Sequence, residues 1–415
     1  MIKIAKDKRQ LLANFFSLSV LQGANFILPL ITLPYLVRIL GTEKFGLVAF
    51  AQAFIMYFNI FVDYGFNLSA TREISVHKEN QQKIMEIFSA VMTLKIMLLF
   101  FSFLVLLFLT NVFSKFASDR LLYLLTFGVV IGQAIFPIWF FQGIEKMKYI
   151  TILNILAKLI FTIAIFLFVK EPNNYLFVPI LNSLGFIIAG ILSLFIIKFI
   201  FHIHWIYPKR DSVVRLFKES THLFISNLSV TLFSVSNTFI LGILTNNTMV
   251  GIYASIEKVI VAIKNLYVPL YQALFPWLSK KDPQNIRMII KKMVPLIFAV
   301  SFIIFLILFV FAEDILSLLY NNNNIIKYSY IFKLFAMISI FASLNMLFNM
   351  LYLTSIKAYK ERMSIMLKSG FFSIVTTFTC TFIFGITGTA ISAVSTEFLL
   401  LILGGTYYLK AEKNV

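Results

Sequence analysis

Twelve apolar stretches, each near or above the roughly twenty residues that cross a bilayer, take up almost the whole chain. They lie at 12–38, 46–69, 84–110, 120–141, 149–169, 175–198, 220–244, 249–276, 290–311, 327–354, 363–384 and 388–409. No segment between them exceeds about two dozen residues, too few to build a soluble domain with its own core. The fold class that follows is an all-α membrane protein of about twelve transmembrane helices. Composition agrees, because 60% apolar against 13% charged residues leaves a surface that only lipid can cover. The first apolar run follows the basic MIKIAKDKRQ and continues to Leu40 without a small-residue cleavage site, so it reads as a spanning helix and not as a signal peptide.

Charge orients the helices. The chain carries 36 Lys and Arg against 18 Asp and Glu. In a soluble protein that excess would suggest nucleic acid, but here it sorts by loop. With the N-terminus inside, 24 cations fall on the cytoplasmic side and only Lys44, Lys115, Arg120, Lys170 and Lys327 on the other. That alternation fits an even number of spans with both termini cytoplasmic and needs no nucleic-acid partner. The longest basic stretch, 201–219, divides an N-terminal lobe (1–200, spans one to six) from a C-terminal lobe (220–415, spans seven to twelve).

The two lobes echo each other. LVRILGTEKFGLVAFAQAF and TFILGILTNNTMVGIYASIEKV each end one span and open the next, and aligning Gly46 with Gly251 pairs Gln52 with Glu257 and Asn59 with Lys264. FQGIEKMKYITILNILAK and LTSIKAYKERMSIMLKSG are a second matched pair. Six spans per lobe give both the same orientation, with a cavity expected near midplane between them.

Ionisable residues inside spans cost about 3 kcal/mol each at the bilayer centre and so face protein or a water-filled cavity. Arg38, Lys95, Lys158, Lys258, Lys264, Lys333, Lys368, Asp63, Glu257 and Glu397 are of this kind. Snorkelling to an interface explains Arg38, Lys333 and Lys368 equally well, and Asp63 could pair with Arg72. In the eighth span Tyr253, Glu257, Lys264, Tyr267 and Tyr271 recur at helical spacing on one face. The expected substrate cavity is therefore cationic, lined by Lys158, Lys258, Lys264, Gln52, Asn59 and Tyr267, and suited to a phosphate or pyrophosphate. An internal Glu257 charge pair with Lys258 or Lys264 is the plain alternative. No phosphate-binding loop, HExxH motif or zinc-spaced histidines occur, and Cys380 is the single cysteine, so no cofactor or metal is expected and no enzyme chemistry is evident.

PYLVRILGTEKFGLVAFAQAF, DYGFNLSATREIS, PIWFFQGIEKMKYITILNILAK and FGITGTAISAVSTEF resemble the bacterial polysaccharide-transporter family, in particular O-antigen repeat-unit flippases of the Wzx type. These belong to the multidrug/oligosaccharidyl-lipid/polysaccharide superfamily, whose two six-helix lobes surround a cavity. The resemblance implies an inner-membrane flippase that moves undecaprenyl-pyrophosphate-linked oligosaccharide from the cytoplasmic to the periplasmic leaflet by alternating access. It implies proton or sodium coupling, for which Glu257, Glu397 and Asp63 are candidates, and gating or structural roles for Arg38 and Arg72. An O-antigen polymerase and a chain-length regulator are the implied protein partners. The competing readings are an ion-coupled multidrug exporter of the same superfamily and a membrane-embedded glycan polymerase or ligase. Excess lysine argues against the first, and the acidic, asparagine-rich outer segment 312–327 against the second.

Overall fold

The computed structural model describes residues 2–279 and 281–413; Lys280, one of the cations expected on the cytoplasmic side, lies outside them. Among the described residues it is helical almost throughout, with no strand. Backbone contacts divide the chain into two compact units, Met1–Thr32 with Ala51–Leu228, and Leu33–Phe50 with Ser229–Val415. The stretch 33–50 thus groups with the C-terminal half, and 201–228 with the N-terminal half.

The first unit takes parts of α1 (Ile2–Asp63) and α9 (Arg210–Leu244) together with the elements between them. These are α2 (Phe66–Val76), α3 (Gln81–Val112), α4 (Ser114–Ala117), α5 (Arg120–Ala134), α6 (Ile138–Gly143), α7 (Met147–Phe168) and α8 (Phe177–Phe199). The second continues with α10 (Asn247–Asn265), α11 (Val268–Leu278), α12 (Pro283–Val310), α13 (Ala312–Tyr320), α14 (Asn323–Ile326), α15 (Ser329–Asn345), α16 (Leu353–Ser355) and α17 (Tyr359–Lys413).

Among the described residues, eight helical segments are long and apolar enough to span. Two of these are double. Gly41 (φ 69°, ψ 171°) breaks α1, and Gly385 (φ 56°, ψ −135°) breaks α17 into two limbs, both in conformations open mainly to glycine. The more polar α9 and the α10–α11 pair complete the twelve.

Breaks inside the expected spans have local causes. The second ends at Asp63, because Tyr64 (φ 46°) and Gly65 (φ 80°) turn the chain into α2. A Cβ on Gly65 would sit 2.8 Å from the Leu223 Cβ, so only glycine lets α9 approach. The fourth breaks before Ile138, where Pro137 supplies no backbone donor. The eighth breaks at Leu266–Tyr267, just before Pro269. The tenth ends in a π-helical segment, Met346–Tyr352. Caps set other ends: Asn80 Oδ1 accepts the Lys83 amide of α3, and Asn246 Oδ1 the Met249 amide of α10, each at 3.0 Å. The segment 312–327, expected as an outer loop, holds the amphipathic α13. The basic stretch 201–219 becomes helix from Arg210 onward.

Small residues let the helices of the first unit pack closely, as membrane helices require. A Cβ at Gly132 would fall 2.6 Å from Phe186, and one at Gly185 2.6 Å from the Ala157 carbonyl, so α5 and α7 both press on α8. Trp139, Phe140, Phe141, Phe66 and Ile74 fill the adjoining core. Tyr64 is stacked between Phe217 and Phe224, at centroid distances of 4.6 and 4.7 Å. The Ser69–Ser220 hydroxyls at 2.7 Å and the Glu73–Arg215 pair at 3.2 Å tie α2 to the same end of α9.

In the second unit, α1 and α10 touch backbone to backbone. A Cβ on Gly46 would lie 1.8 Å from the Asn247 carbonyl oxygen, and one on Gly251 1.8 Å from that of Thr42. Each glycine thus meets the carbonyl four residues before the other. These are the two glycines that the internal alignment places at equivalent positions.

Candidate functional site

The second unit holds a cavity of about 110 Å³ between α9, α10, α15 and the second limb of α17. Asn237, Tyr253, Glu257, Lys264, Phe335 and Glu397 line it. The seven residues from Glu257 to Lys264 are two helical turns, which puts both side chains on one face.

Glu397 is 4% exposed, so its charge must be met by protein. Lys264 Nζ donates to its Oε1, and Asn345 Nδ2 donates to Oε2 at 2.9 Å. Asn349 Nδ2 donates to Asn345 Oδ1 at 2.6 Å and to the Leu400 carbonyl at 3.0 Å. These two asparagines bracket the start of the π-helical segment, a backbone device that often accompanies a working side chain. Gly404 keeps α17 close to them, since a Cβ there would lie 2.5 Å from Asn349 Nδ2.

Glu257, on the opposite wall, accepts from the Tyr253 hydroxyl at 3.2 Å and the Thr238 hydroxyl at 3.3 Å. Asn237 is held from behind by the Thr377 hydroxyl at 2.7 Å. One lysine and two carboxylates therefore share a small polar chamber inside an apolar bundle. Such a chamber can exchange a proton or a small cation, and can free its lysine when a carboxylate is neutralised.

The other expected residues lie elsewhere. Lys258, one residue round the helix, is exposed and does not line the chamber. Tyr267 falls after the break in α10; it is buried, and among the described residues its hydroxyl has no partner. Tyr271 donates to the Ser343 carbonyl at 2.8 Å. In the first unit, Asp63 pairs with Lys95 at 3.5 Å and not with Arg72, which is exposed on α2. Lys95 is 3% exposed and Asp63 23%, so in this pair it is the cation that is buried. Asn59 Nδ2 donates to Gln133 Oε1 at 2.8 Å, while Gln52 and Lys158 are half-buried. Arg38 grips the end of α13: its Nε and Nη2 donate to the carbonyls of Leu319 (2.9 Å) and Leu318 (2.5 Å). A cation on the last carbonyls of a helix offsets its dipole, which makes Arg38 a clamp. Sequence reading missed Asn345 and Asn349. Their signal was two amides one turn apart within an otherwise apolar run.

Comparison with known proteins identifies the family and the fold. Residues 11–282 match the family described as "Polysaccharide biosynthesis protein". The chain is 30% identical over 404 residues, 95% of both chains, to the Escherichia coli (strain K12) protein named "Putative O-antigen transporter". A Shigella dysenteriae protein of the same name is 29% identical over 65% of this chain and 67% of its own. Among solved structures, the lipid II flippase MurJ in an inward closed conformation superposes with a TM-score of 0.71. The match has 15% identity and covers 95% of this chain and 86% of that one. An inward-facing multidrug resistance MATE transporter of the MOP superfamily gives a TM-score of 0.68 at 12% identity, over 93% and 96%. At such identities these likenesses establish the fold.

Proposed function

This chain belongs to the polysaccharide biosynthesis protein family, and on that premise we propose that it flips lipid-linked oligosaccharide repeat units across the bacterial inner membrane. The cargo is an O-antigen or related unit on undecaprenyl pyrophosphate, moved from the cytoplasmic to the periplasmic leaflet by alternating access of the two duplicated halves. Both termini face the cytoplasm in this reading. The observation that carries it is the 30% identity, over 95% of both chains, to the K12 protein named as an O-antigen transporter.

The chamber supplies a mechanism for coupling. With Glu397 ionised, Lys264 is held by it. A proton on Glu397, or a sodium ion displacing Lys264, releases the ammonium to attract the pyrophosphate. A lysine suits this work because it is a compact point charge that can let the group go again. Glu257 is the second candidate for the coupling ion. Asp63, enclosed with Lys95, is a third.

Ion-coupled drug export is a second reading. The two carboxylates in the chamber favour it, since organic cations need anionic partners. The experiment that separates the readings is deletion of the gene followed by leaflet-specific labelling of the lipid-linked repeat units. The flippase reading expects them to accumulate on the cytoplasmic face. Units already on the periplasmic face in the deletion strain overturn it, and unchanged surface polysaccharide with increased drug sensitivity favours export.

A further inference from the structure

The two limbs of α17 border a second, open cleft, of about 420 Å³, at the end away from the Gly385 turn. On the first limb Lys360, Ser364 and Lys368 follow at four-residue steps and so share a face. On the second, Leu403, Tyr407 and Lys410 recur at helical spacing. Three lysines therefore converge on one concave space against a single carboxylate, Glu361. Among the described residues none of the three lysines forms an ion pair.

The position of Lys368 sharpens the chemistry. It lies two helical turns, about 12 Å of rise, beyond Lys360. Its neighbours Leu367 and Phe371 are 40% and 74% exposed, which on a spanning helix is lipid-facing surface. An ammonium there stands where headgroups give way to acyl chains. Basic pockets between transmembrane helices at this level bind the head groups of anionic lipids. Tyr407, with an apolar ring and a polar tip, suits the same depth.

We propose that this cleft is a binding site for an anionic phospholipid, its phosphate held by Lys360, Lys368 and Lys410 and its acyl chains lying along the exposed Phe371 side of α17. The concave, three-lysine lining favours an anion over generic snorkelling, which needs no cleft. The exposed apolar margin favours a lipid over a soluble anion. The site is separate from the Lys264–Glu397 chamber and does not rest on the transported substrate.

The test uses the full chain in mild detergent, titrated with phosphatidylglycerol or phosphatidylcholine and read by native mass spectrometry. Phosphatidylglycerol is expected to bind at least tenfold more tightly. The triple variant K360A/K368A/K410A should lose that preference, the triple Lys→Arg variant should keep it, and K146A/K148A, at another loop, should leave it unchanged. Thermal unfolding of each variant checks that the fold survives. A preference retained by a folded triple-alanine variant overturns the proposal. So does a polyprenyl diphosphate that outcompetes phosphatidylglycerol and is lost in the same variant, because the site would then belong to the carried lipid. Inorganic pyrophosphate that displaces the phospholipid at equal concentration would also overturn it, by removing the role of the acyl chains.

Discussion

Replacing Lys264 by methionine removes the cation from a carboxylate that is 4% exposed and leaves Glu397 with the Asn345 amide. Breaking one side of a buried ion pair costs about 3–5 kcal/mol, because the remaining charge is uncompensated. Lys264 is itself 27% exposed, which places the expectation near the lower end, about 3 kcal/mol. Glu397→Gln is milder, about 1 kcal/mol, since the amide can still accept from Asn345 and the lysine can turn toward the chamber. In the double variant K264M/E397Q the charge at 397 is gone with its partner and Glu257 keeps its Tyr253 and Thr238 hydroxyls, so the loss should be about 1–2 kcal/mol, well under the sum of the two singles. The coupling energy is then about 2–3 kcal/mol, large enough to resolve in a double-mutant cycle. For a unit of about two hundred residues, 1 kcal/mol moves Tm by roughly 2–4 °C, so K264M alone should lower Tm by roughly 6–12 °C. The assay is thermal unfolding of detergent-purified protein, paired with surface polysaccharide at matched protein level. Additive losses would refute the pairing. Full polysaccharide display by K264M would refute the coupling role of Lys264 while leaving the pairing intact.

Arg38→Met should release the end of α13 at a cost of about 1 kcal/mol, the worth of an exposed cation on terminal carbonyls, and hydrogen exchange at 316–320 should quicken roughly fivefold. Asp63→Asn should cost about 3 kcal/mol by stranding Lys95, and adding Lys95→Met should recover most of it, measured as Tm. Gly46→Ala must push a methyl away from a carbonyl 1.8 Å distant, against roughly 3.3 Å for a close C–H···O contact. Overpacking of about 2 kcal/mol should outweigh the about 1 kcal/mol gained in helix propensity, with Gly251→Ala matching it; a stabilised variant would refute the contact. Outside the spans, hydrogen bonds from Lys333 and Ser329 hold the Glu313 carboxyl below its ordinary range. A depressed carboxyl contributes stability above its unfolded pKa and loses it as pH falls through the folded one. The advantage of the native chain over Glu313→Gln should therefore be present at pH 7 and vanish in acid below the usual carboxylate range, read as the difference in Tm.

Much of this was legible in the residues. Apolar runs mark the spans because the bilayer imposes a length, and Gly41 and Gly385 fall where gaps between runs were expected. Glu257 and Lys264 share a face because helical period is local. The partners were not legible where they are distant in the chain. Glu397 is 133 residues from Lys264, and no period links them. Arg72 is the cation nearest to Asp63 in sequence and could pair with it by position alone, but the turn at Tyr64–Gly65 carries Arg72 away and leaves Lys95 facing Asp63. Lys258 looked equal to Lys264 by type, yet one helical step puts it on the exposed side. The π-helical turn and α13 depend on side-chain and tertiary contacts that apolar pattern does not encode.

The reciprocal contact of Gly46 and Gly251 is an isologous interface inside one chain: each helix offers the patch that it receives. Under the proposed duplication, it is the seam at which two copies of a half-length ancestor would have met. Enlarging either position presses on the other helix, so the two are constrained jointly and have stayed alike. Less than two turns further along, Gln52 and Glu257, and then Asn59 and Lys264, have parted company. A symmetric anchor thus left the rest of each copy free to specialise, and the ionisable chamber arose in one of them.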